Sequence, residues 1–113
     1  MTSSSSAPRI HPDSRIVVTG GTGFLGSHLM ATFSSRGYRN VLAFGAEEYD
    51  LTHEREVERM MADARPEAIV HLAAVVGGIG ANRMYPGSFF YKNLMMGTLL
   101  LEHARRAGVP RFL

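Results

Sequence analysis

Three glycines spaced three residues apart form the part of the sequence best suited to chemistry. Gly20, Gly23 and Gly26 follow the β-branched segment 15–19 and open the segment 23–36, whose apolar residues recur at helical spacing. A helix that begins at such a loop presents unpaired backbone N–H groups and the positive end of its dipole, and both attract phosphate. Gly20 allows a tight exit from a strand, Gly23 close approach of a diphosphate, and Gly26 close helix packing. The spacing therefore predicts a dinucleotide phosphate site.

Other polar residues give weaker signals. His71 lies in the apolar segment 68–74 and is interpreted as a structural histidine. The carboxylates Glu47, Glu48 and Asp50 could form a catalytic cluster, but a solvated loop is the favoured interpretation, with Asp50 as an exception. The chain has no Cys, and its helical His residues lack partners at metal-ligand spacing, so we expect no metal site.

Alternating strand and helix patterns surround the glycine loop. Short apolar runs typical of buried parallel strands alternate with amphipathic segments of helical length. The predicted strands are 15–19, 40–44, 68–74 and one starting at Arg111, and the predicted helices are 23–36, 52–65 and 88–107. This alternation predicts an α/β fold, namely the N-terminal part of a doubly wound parallel-sheet Rossmann fold.

The second and third helical segments carry more detailed signals. Thr52 is a candidate N-cap of the second helix, and Pro66 follows its end. In the third helix, apolar and small residues at three-to-four spacing predict one core-facing stripe. The stripe residues are Phe90, Leu94, Gly97, Leu101 and Ala104.

Composition limits the domain organisation and the kind of partner. The chain has 113 residues, of which the first 14 are rich in Ser and Pro, so we expect a disordered tail over 1–14 and a partial domain over 15–113. No apolar run approaches the roughly 20 residues of a membrane-spanning helix. The 12 basic and 10 acidic residues are scattered, so we expect neither nucleic acid nor a membrane as partner. A cytoplasmic protein is the default expectation.

Several motifs resemble one enzyme family. The G-x-x-G-x-x-G loop and HLAA at 71–74 are similar to the extended short-chain dehydrogenase/reductase superfamily. Within it, the segment from residue 71 onward resembles the GDP-L-fucose synthases, most specifically over 76–96, which is VGGIGANRMYPGSFFYKNLMM. That family epimerises GDP-4-keto-6-deoxy-mannose at C3 and C5 and reduces its C4 ketone by hydride transfer. The resemblance implies a GDP-sugar substrate, NADP or NAD as cofactor, and a homodimer for the full-length enzyme.

The resemblance also implies roles for individual residues. Asn93 would support a proton relay behind the active site, and Gly77 and Gly78 would lie where the substrate pocket begins. The implied cofactor-binding residues are Gly20, Gly21, Thr22, Gly23, Phe24, Leu25 and Gly26 at the phosphates, Asp50 and Leu51 at the adenine, and Leu72, Ala73 and Ala74 at the ribose and nicotinamide.

The choice between NADP and NAD is open at the level of the residues. In the family, Arg side chains in the glycine loop and after the second strand hold the 2′-phosphate of NADP, but this chain has Thr22, Phe44 and Ala46 there. An NAD-binding protein would place Asp or Glu at the end of the second strand, whereas Glu47 and Glu48 come slightly later. The resemblance by itself favours NADP.

The catalytic residues that the family implies are missing from these 113 residues. No Tyr has a Lys four positions later, and the catalytic Ser, Cys and His would follow Leu113. Since the Tyr donates the proton and the Lys lowers its pKa, the chain alone is expected to bind a dinucleotide poorly and to be inactive. We therefore expect the cofactor-binding portion of a nucleotide-sugar epimerase/reductase. The alternatives are an NAD-dependent GDP-mannose 3,5-epimerase or another nucleotide-sugar 4-epimerase, and a truncated dinucleotide-binding module without catalysis.

Overall fold

The strands and helices follow the predicted order. A computed structural model describes residues 9–74 and 86–113 of the chain. Within these residues the elements are β1 Ile16–Thr19, α1 Phe24–Ser35, β2 Val41–Phe44, α2 Glu54–Ala64, β3 Ala68–His71, α3 Pro86–Ala107 and β4 Arg111–Phe112. The predicted alternation of strand and helix is therefore confirmed.

The strands form one parallel sheet in the order β2-β1-β3-β4. Ile16 of β1 pairs with Val41 of β2 on one side and with Ala68 of β3 on the other, and Ala68 also pairs with Arg111 of β4. The chain moves outward from β1 to β2 and then returns across β1 to begin β3. This reversal opens a crevice at the carboxyl ends of β1 and β3, where open parallel sheets bind their ligands. The predicted Rossmann-type α/β fold is confirmed.

Apolar residues cover both faces of the sheet, as a buried parallel sheet requires. On one face, Ile16, Val18 and Ala68 pack against α1. On the other face, Val17 and Ile69 pack with residues of both remaining helices. These helix residues are Val57, Met60 and Met61 of α2, and Met96, Leu100 and Ala104 of α3. Because side chains alternate along a strand, β1 supplies both faces and lies at the centre of the core.

The start of α2 differs from its prediction. The helix begins at Glu54, and its N-cap is His53, whose side chain makes no capping hydrogen bond. Thr52, the predicted N-cap, instead donates its hydroxyl to Oδ1 of Asp50 at 2.6 Å and its N–H to the same oxygen at 3.1 Å. The prediction for Thr52 is therefore wrong, because a local turn centred on the Asp50 carboxylate engages it before the helix begins.

The buried face of α3 also differs from its prediction. The buried residues of this helix are Met96, Leu100, His103 and Ala104. The exposed residues of the predicted stripe are Phe90, Leu94 and Leu101. Apolar residues occur on several sides of α3, so packing against α2 selects the buried side, and Nε2 of His103 lies 2.8 Å from Oε2 of Glu54 there. No helix in the described part of the chain is both long and apolar enough to cross a bilayer.

Residues 11–14 form a turn beside the sheet. Ser14 is buried, its N–H donates to the carbonyl of His11 at 2.9 Å, and its Oγ accepts from the N–H of His11 at 2.9 Å. Further hydrogen bonds join this turn to the residues that precede β2. The described structure therefore includes part of the segment 1–14 that was predicted as a tail, while residues 1–8 lie outside it.

Candidate functional site

The glycine loop forms a tight turn between β1 and α1. Gly20 has a φ of +70°, a left-handed conformation that glycine adopts without steric cost, and its carbonyl accepts from the N–H of Gly23 at 3.0 Å. A Cβ atom on Gly20 would lie 2.8 Å from the backbone nitrogen of Ala73. The turn therefore packs directly on the backbone that follows β3, which brings the ends of two strands to one site.

Gly26 lies where α1 passes over this turn. A Cβ atom on Gly26 would lie 2.1 Å from the carbonyl oxygen of Gly20 and 2.6 Å from Cα of Gly21, so only glycine fits. Gly23, the N-cap of α1, differs because its φ is −81° and the atom nearest to an added Cβ is the carbonyl oxygen of Gly20 at 3.4 Å. Gly20 and Gly26 thus shape the turn, whereas Gly23 leaves space at the start of the helix.

The start of α1 offers backbone donors to this space. The first backbone hydrogen bond of α1 runs from the N–H of Ser27 to the carbonyl of Gly23, at 2.8 Å. The N–H groups of residues 24–26 come before it and therefore have no acceptor within the helix. The N-cap residue Gly23 has no side chain to cap the helix, and the first turn of α1 contains no acidic residue. Phe24 and Leu25 have exposed side chains. This end of α1 is therefore electrostatically suited to an anion.

A cleft of about 440 Å³ opens beside the turn, at the carboxyl ends of β1, β2 and β3. Its volume lies in the range typical of small-molecule sites. The predicted cofactor residues that line it are Gly20, Thr22, Gly23, Asp50, Leu51, Leu72, Ala73 and Ala74. Gly21 and Gly26 are buried outside this lining, and Gly77 and Gly78 lie outside the described residues. The structure thus groups most of these residues, and their role in binding stays a prediction.

The cleft also contains residues that the sequence did not assign to cofactor binding. They are Phe44, Gly45, Ala46, Tyr49, Thr52 and Met96. The rings of Phe44 and Tyr49 meet edge to face with centroids 4.9 Å apart, and the guanidinium of Arg59 lies 4.3 Å from the Tyr49 ring centroid. Because Phe44 ends the second predicted strand, its position could have predicted that its side chain lines the cleft. No spacing signal pointed to Met96, which reaches the cleft from α3.

Tyr49 and Asp50 adjoin each other in the cleft lining but differ in charge. The Tyr49 hydroxyl donates to Oδ2 of Asp63 at 2.7 Å, and this hydrogen bond raises the pKa of Tyr49. Hydrogen bonding from Thr52 lowers the pKa of Asp50, although burial partly opposes the shift. Asp50 is therefore ionised at neutral pH, and among the described residues that line the cleft it is the one with a charged side chain.

Thr19, the last residue of β1, joins the carboxyl ends of β1 and β3. Its side chain is fully buried, and its hydroxyl oxygen accepts from the N–H groups of Leu72 and Ala73, both at 3.0 Å. Because these two bonds occupy the lone pairs of the oxygen, the hydroxyl hydrogen is donated to Nδ1 of His71, 2.7 Å away. His71 is therefore neutral with its proton on Nε2, and burial lowers the pKa of the ring.

Acidification is expected to destabilise the protein through His71. Burial lowers the pKa of His71 in the folded chain below the ordinary value of 6.5, so between the two values the unfolded chain binds more protons. The stability contributed by neutral His71 is therefore fully present above about pH 6.5 and is lost as the pH falls below it. Chemical denaturation at about pH 7.5 and about pH 5 measures this loss as a lower free energy of unfolding.

The variant His71→Asn provides the control for this pH dependence. Asn does not titrate, and its side chain can place a hydrogen-bond acceptor near the position of Nδ1. The slope of unfolding free energy against pH is expected to be shallower in the variant. An equal slope in both proteins would show that another group is responsible.

Two further expectations from the sequence concern Asn93 and metal ions. Asn93 is half-buried on α3, one turn before Met96, and its role in a proton relay stays a prediction. Among residues 9–74 and 86–113, no group of three or more His, Cys, Asp or Glu side chains is placed to hold a metal ion.

The strand order and the glycine turn at its reversal point define a Rossmann-type protein. The model of the NAD dependent epimerase/dehydratase family matches residues 16–113, and the chain belongs to this family.

Three relatives show how far the similarity extends. The GDP-L-fucose synthase of Sinorhizobium fredii (strain NBRC 101917 / NGR234) is 36% identical over 99 residues, covering 88% of this chain and 31% of that protein. A GDP-L-fucose synthetase from Naegleria fowleri bound to NADP has a TM-score of 0.82 at 27% identity, covering 96% of this chain and 33% of that one. The UDP-glucose 4-epimerase of Thermus thermophilus in complex with NAD has a TM-score of 0.75 at 32% identity, covering 87% of this chain and 36% of that one.

These similarities confirm the predicted resemblance to the GDP-L-fucose synthases. The chain spans about a third of the length of the relatives that it matches.

Proposed function

We propose that this chain forms the cofactor-binding part of an NAD(P)-dependent nucleotide-sugar epimerase/reductase, most similar to the GDP-L-fucose synthases. The cleft at the reversal of the strand order carries this proposal, because the glycine turn, the donors of α1 and the ends of three strands converge on it. The NADP and NAD complexes of the related proteins support the same class of ligand.

A dinucleotide suits the residues present. The space at Gly23 and the backbone donors of α1 would take the diphosphate. Asp50 and Leu51 would lie on the adenine side, and residues 72–74 on the side of the nicotinamide and its ribose. The nicotinamide, when bound, supplies or accepts the hydride. Thr19 orients the backbone of Leu72 and Ala73, so it would position one wall of the site without touching the cofactor.

The groups that react with the sugar are proposed to lie outside these 113 residues. No Tyr-x-x-x-Lys pair occurs in the chain, so hydride transfer to a ketone would lack its proton donor. The chain by itself is therefore expected to bind a dinucleotide weakly and not to turn over a nucleotide sugar. A GDP-sugar substrate, a homodimeric full-length enzyme and a cytoplasmic location complete the proposal.

The thermal stability of the purified chain with and without dinucleotide tests this function. A ligand that binds only the folded chain stabilises it by about 2.7 kcal/mol at a hundredfold excess over Kd, so NADH or NADPH should raise the melting temperature. Gly23→Val is expected to abolish the rise, because two methyl groups would fill the space assigned to the diphosphate. The fold should tolerate the change, since the nearest atom to an added Cβ is 3.4 Å away.

Gly87→Val is the matched control for Gly23→Val. Gly87 also lies in the first turn of a helix, and in the part of the chain that the structure describes an added Cβ there would meet nothing within 4 Å. This variant should show the same rise in melting temperature as the unmodified chain. Absence of a rise with either dinucleotide at millimolar concentration would overturn the proposed function, and an undiminished rise in Gly23→Val would overturn the assignment of the phosphate site.

A further inference from the structure

The side chain of His71 lies behind the wall of the cleft that the next two residues form. Leu72 and Ala73 line the cleft, whereas His71 does not. His71 is partly buried at the end of β3, and the centroid of its ring lies 6.4 Å from that of Phe112 on β4. Histidine is the side chain whose charge ordinarily changes between about pH 5 and pH 8. Protonation of His71 would therefore place a new charge next to the cleft but outside it.

The hydrogen bonds of Thr19 require a neutral His71. Its hydroxyl oxygen accepts from the N–H groups of Leu72 and Ala73, both at 3.0 Å, and its hydroxyl donates to Nδ1 of His71 at 2.7 Å. A protonated imidazole donates from both ring nitrogens, so three N–H groups would compete for two lone pairs and the hydroxyl hydrogen would lose its acceptor. The N–H of Leu72 has a second acceptor, the main-chain carbonyl of Thr19 at 3.1 Å. The bond from Ala73 is therefore the one that protonation weakens most.

Movement of the Ala73 backbone would reach the glycine turn as well as the wall of the cleft. The backbone nitrogen of Ala73 lies 2.8 Å from the position of an added Cβ on Gly20, so the two main chains are in direct contact. The carbonyl of Gly20 in turn accepts from the N–H of Gly23 at 3.0 Å, and both glycines line the cleft. The charge of His71 is thus linked by short contacts to the space proposed for the diphosphate.

Charged side chains do not determine the state of His71. Burial is the one cause of its lowered pKa, and no charged side chain of the described residues contributes. On β4, Arg111 pairs with Ala68, three residues before His71, and on α3 Lys92 acts on Asp50. The carbonyl of Leu113, the last of the 113 residues, accepts from the main-chain N–H of His71 at 2.7 Å, so its carboxylate needs a control.

Two other imidazoles lie near the cleft and also need a control. The ring of His28 meets that of Phe24 edge to face with centroids 4.8 Å apart. Nε2 of His53 lies 3.5 Å from Oδ2 of Asp50. Asp50 itself keeps its charge in mild acid, because hydrogen bonding from Thr52 lowers its pKa.

We infer that His71 is a positioning residue that makes dinucleotide binding depend on pH: the cleft binds while the ring is neutral and loses affinity when the ring is protonated. The inference rests on the proposed function, since it concerns regulation of the same cleft. The coupling is reciprocal, so a bound dinucleotide opposes protonation of His71. Loss of stability in acid would lower the number of folded chains, whereas this coupling lowers the affinity of chains that remain folded.

The dissociation constant of an oxidised dinucleotide at about pH 7.5 and about pH 5 tests the inference. NAD⁺ and NADP⁺ are used because they are stable in mild acid, and the one that binds more tightly at the higher pH is carried to the lower pH. NMR titration of the full 113-residue chain reports binding and confirms folding at each pH. The affinity is expected to fall at least about threefold at the lower pH. Saturation with the dinucleotide should further lower the pKa of His71, read from its ring nitrogen chemical shifts.

The variant His71→Asn separates this effect from any titration of the ligand. Asn supplies an acceptor near the position of Nδ1 and does not titrate. At about pH 7.5 the variant should bind within about twofold of the unmodified chain, and its affinity should not show the threefold fall in acid. The matched control is the double variant His28→Asn, His53→Asn, which should retain the fall. A chain extended by two glycines after Leu113 moves the terminal carboxylate away from His71 and should retain it too.

Four outcomes would overturn the inference while leaving the proposed function intact. They are equal affinity at both pH values, an unchanged pH dependence in His71→Asn, and loss of the dependence in either the double variant or the extended chain. Binding of neither NAD⁺ nor NADP⁺ at about pH 7.5 would overturn the proposed function and this inference together.

Discussion

Replacing Gly26 with alanine is expected to lower the free energy of unfolding by about 3 kcal/mol and to abolish dinucleotide binding. The added Cβ would lie 2.1 Å from the carbonyl oxygen of Gly20 and 2.6 Å from Cα of Gly21. Both atoms belong to the backbone, so no side-chain rotation relieves the overlap and the turn between β1 and α1 must move. The preference of a helix for alanine over glycine, about 1 kcal/mol, offsets only part of this cost.

Gly97→Ala is the matched control because the same substitution is made in another helix. Gly97 lies in α3, where an added Cβ would meet no atom of the described residues within 4 Å. This variant is expected to gain up to about 1 kcal/mol of stability from helix propensity alone. Urea denaturation measures both effects. If Gly26→Ala were as stable as Gly97→Ala, the close contact between α1 and the glycine turn would be disproved.

Thr19→Val is expected to cost about 2 to 4 kcal/mol although valine has nearly the same shape. The substitution leaves the N–H of Ala73 and Nδ1 of His71 without the hydroxyl that bonds to both. Both groups belong to partly buried residues, so each is expected to cost the lower part of the range of about 1 to 3 kcal/mol that an unpaired buried polar group costs. The N–H of Leu72 retains its bond to the main-chain carbonyl of Thr19 at 3.1 Å, so it adds little to the loss.

Two control variants separate the hydroxyl from the rest of the Thr19 side chain. Thr19→Ser keeps the hydroxyl and removes one methyl group, so it should cost only about 0.8 kcal/mol. Thr32→Val makes the same chemical change on the exposed side of α1, where the Thr32 hydroxyl donates to the carbonyl of His28 at 3.0 Å, and should change stability by less than about 0.5 kcal/mol. A loss in Thr19→Val no larger than that in Thr32→Val would contradict the hydrogen-bond network. The tautomer of His71, read from its ring nitrogen chemical shifts, provides an independent check.

These two predictions concern the same junction between strands. Thr19 joins the carboxyl ends of β1 and β3 by hydrogen bonds, and its neighbour Gly20 joins them by direct packing on Ala73. Gly26 then holds α1 against the resulting turn. Because the junction forms one wall of the cleft, changes in stability at these positions are expected to be accompanied by changes in dinucleotide binding.

Local patterns were sufficient for the elements and for the glycine turn between β1 and α1. The apolar runs that predicted strands at 15–19 and 40–44 contain β1 and β2, and the glycine spacing predicted the turn that Gly20 makes at a φ of +70°. Both signals depend on nearest neighbours along the chain, namely side-chain hydrophobicity at a fixed period and the conformational freedom of glycine. The same reasoning was insufficient at Thr52, because a neighbouring carboxylate engaged the hydroxyl expected to cap the helix.

The remaining features depend on contacts between segments distant in sequence. The buried side of α3 could not be read from spacing, since its apolar residues surround the helix and only packing on α2 leaves Phe90 and Leu94 exposed. The neutral state of His71 follows from Thr19, which lies 52 positions away in the sequence. Likewise, Glu47 and Glu48 are exposed loop residues, as the sequence indicated, but only the turn after β2 places their carboxylates beside Gly45.

The sequence by itself therefore determined an α/β chain with a tight glycine turn after its first strand and, through its motifs, the family to which it belongs. The tertiary structure decided which residues meet in the cleft, which ring nitrogen of His71 carries the proton, and which carboxylates lie beside Gly45 at the end of β2. The physical reason is the range of the interactions. Strand, helix and turn preferences act over a few residues, whereas hydrogen-bond partners, burial and charge contacts arise only when the parallel sheet brings separate segments together.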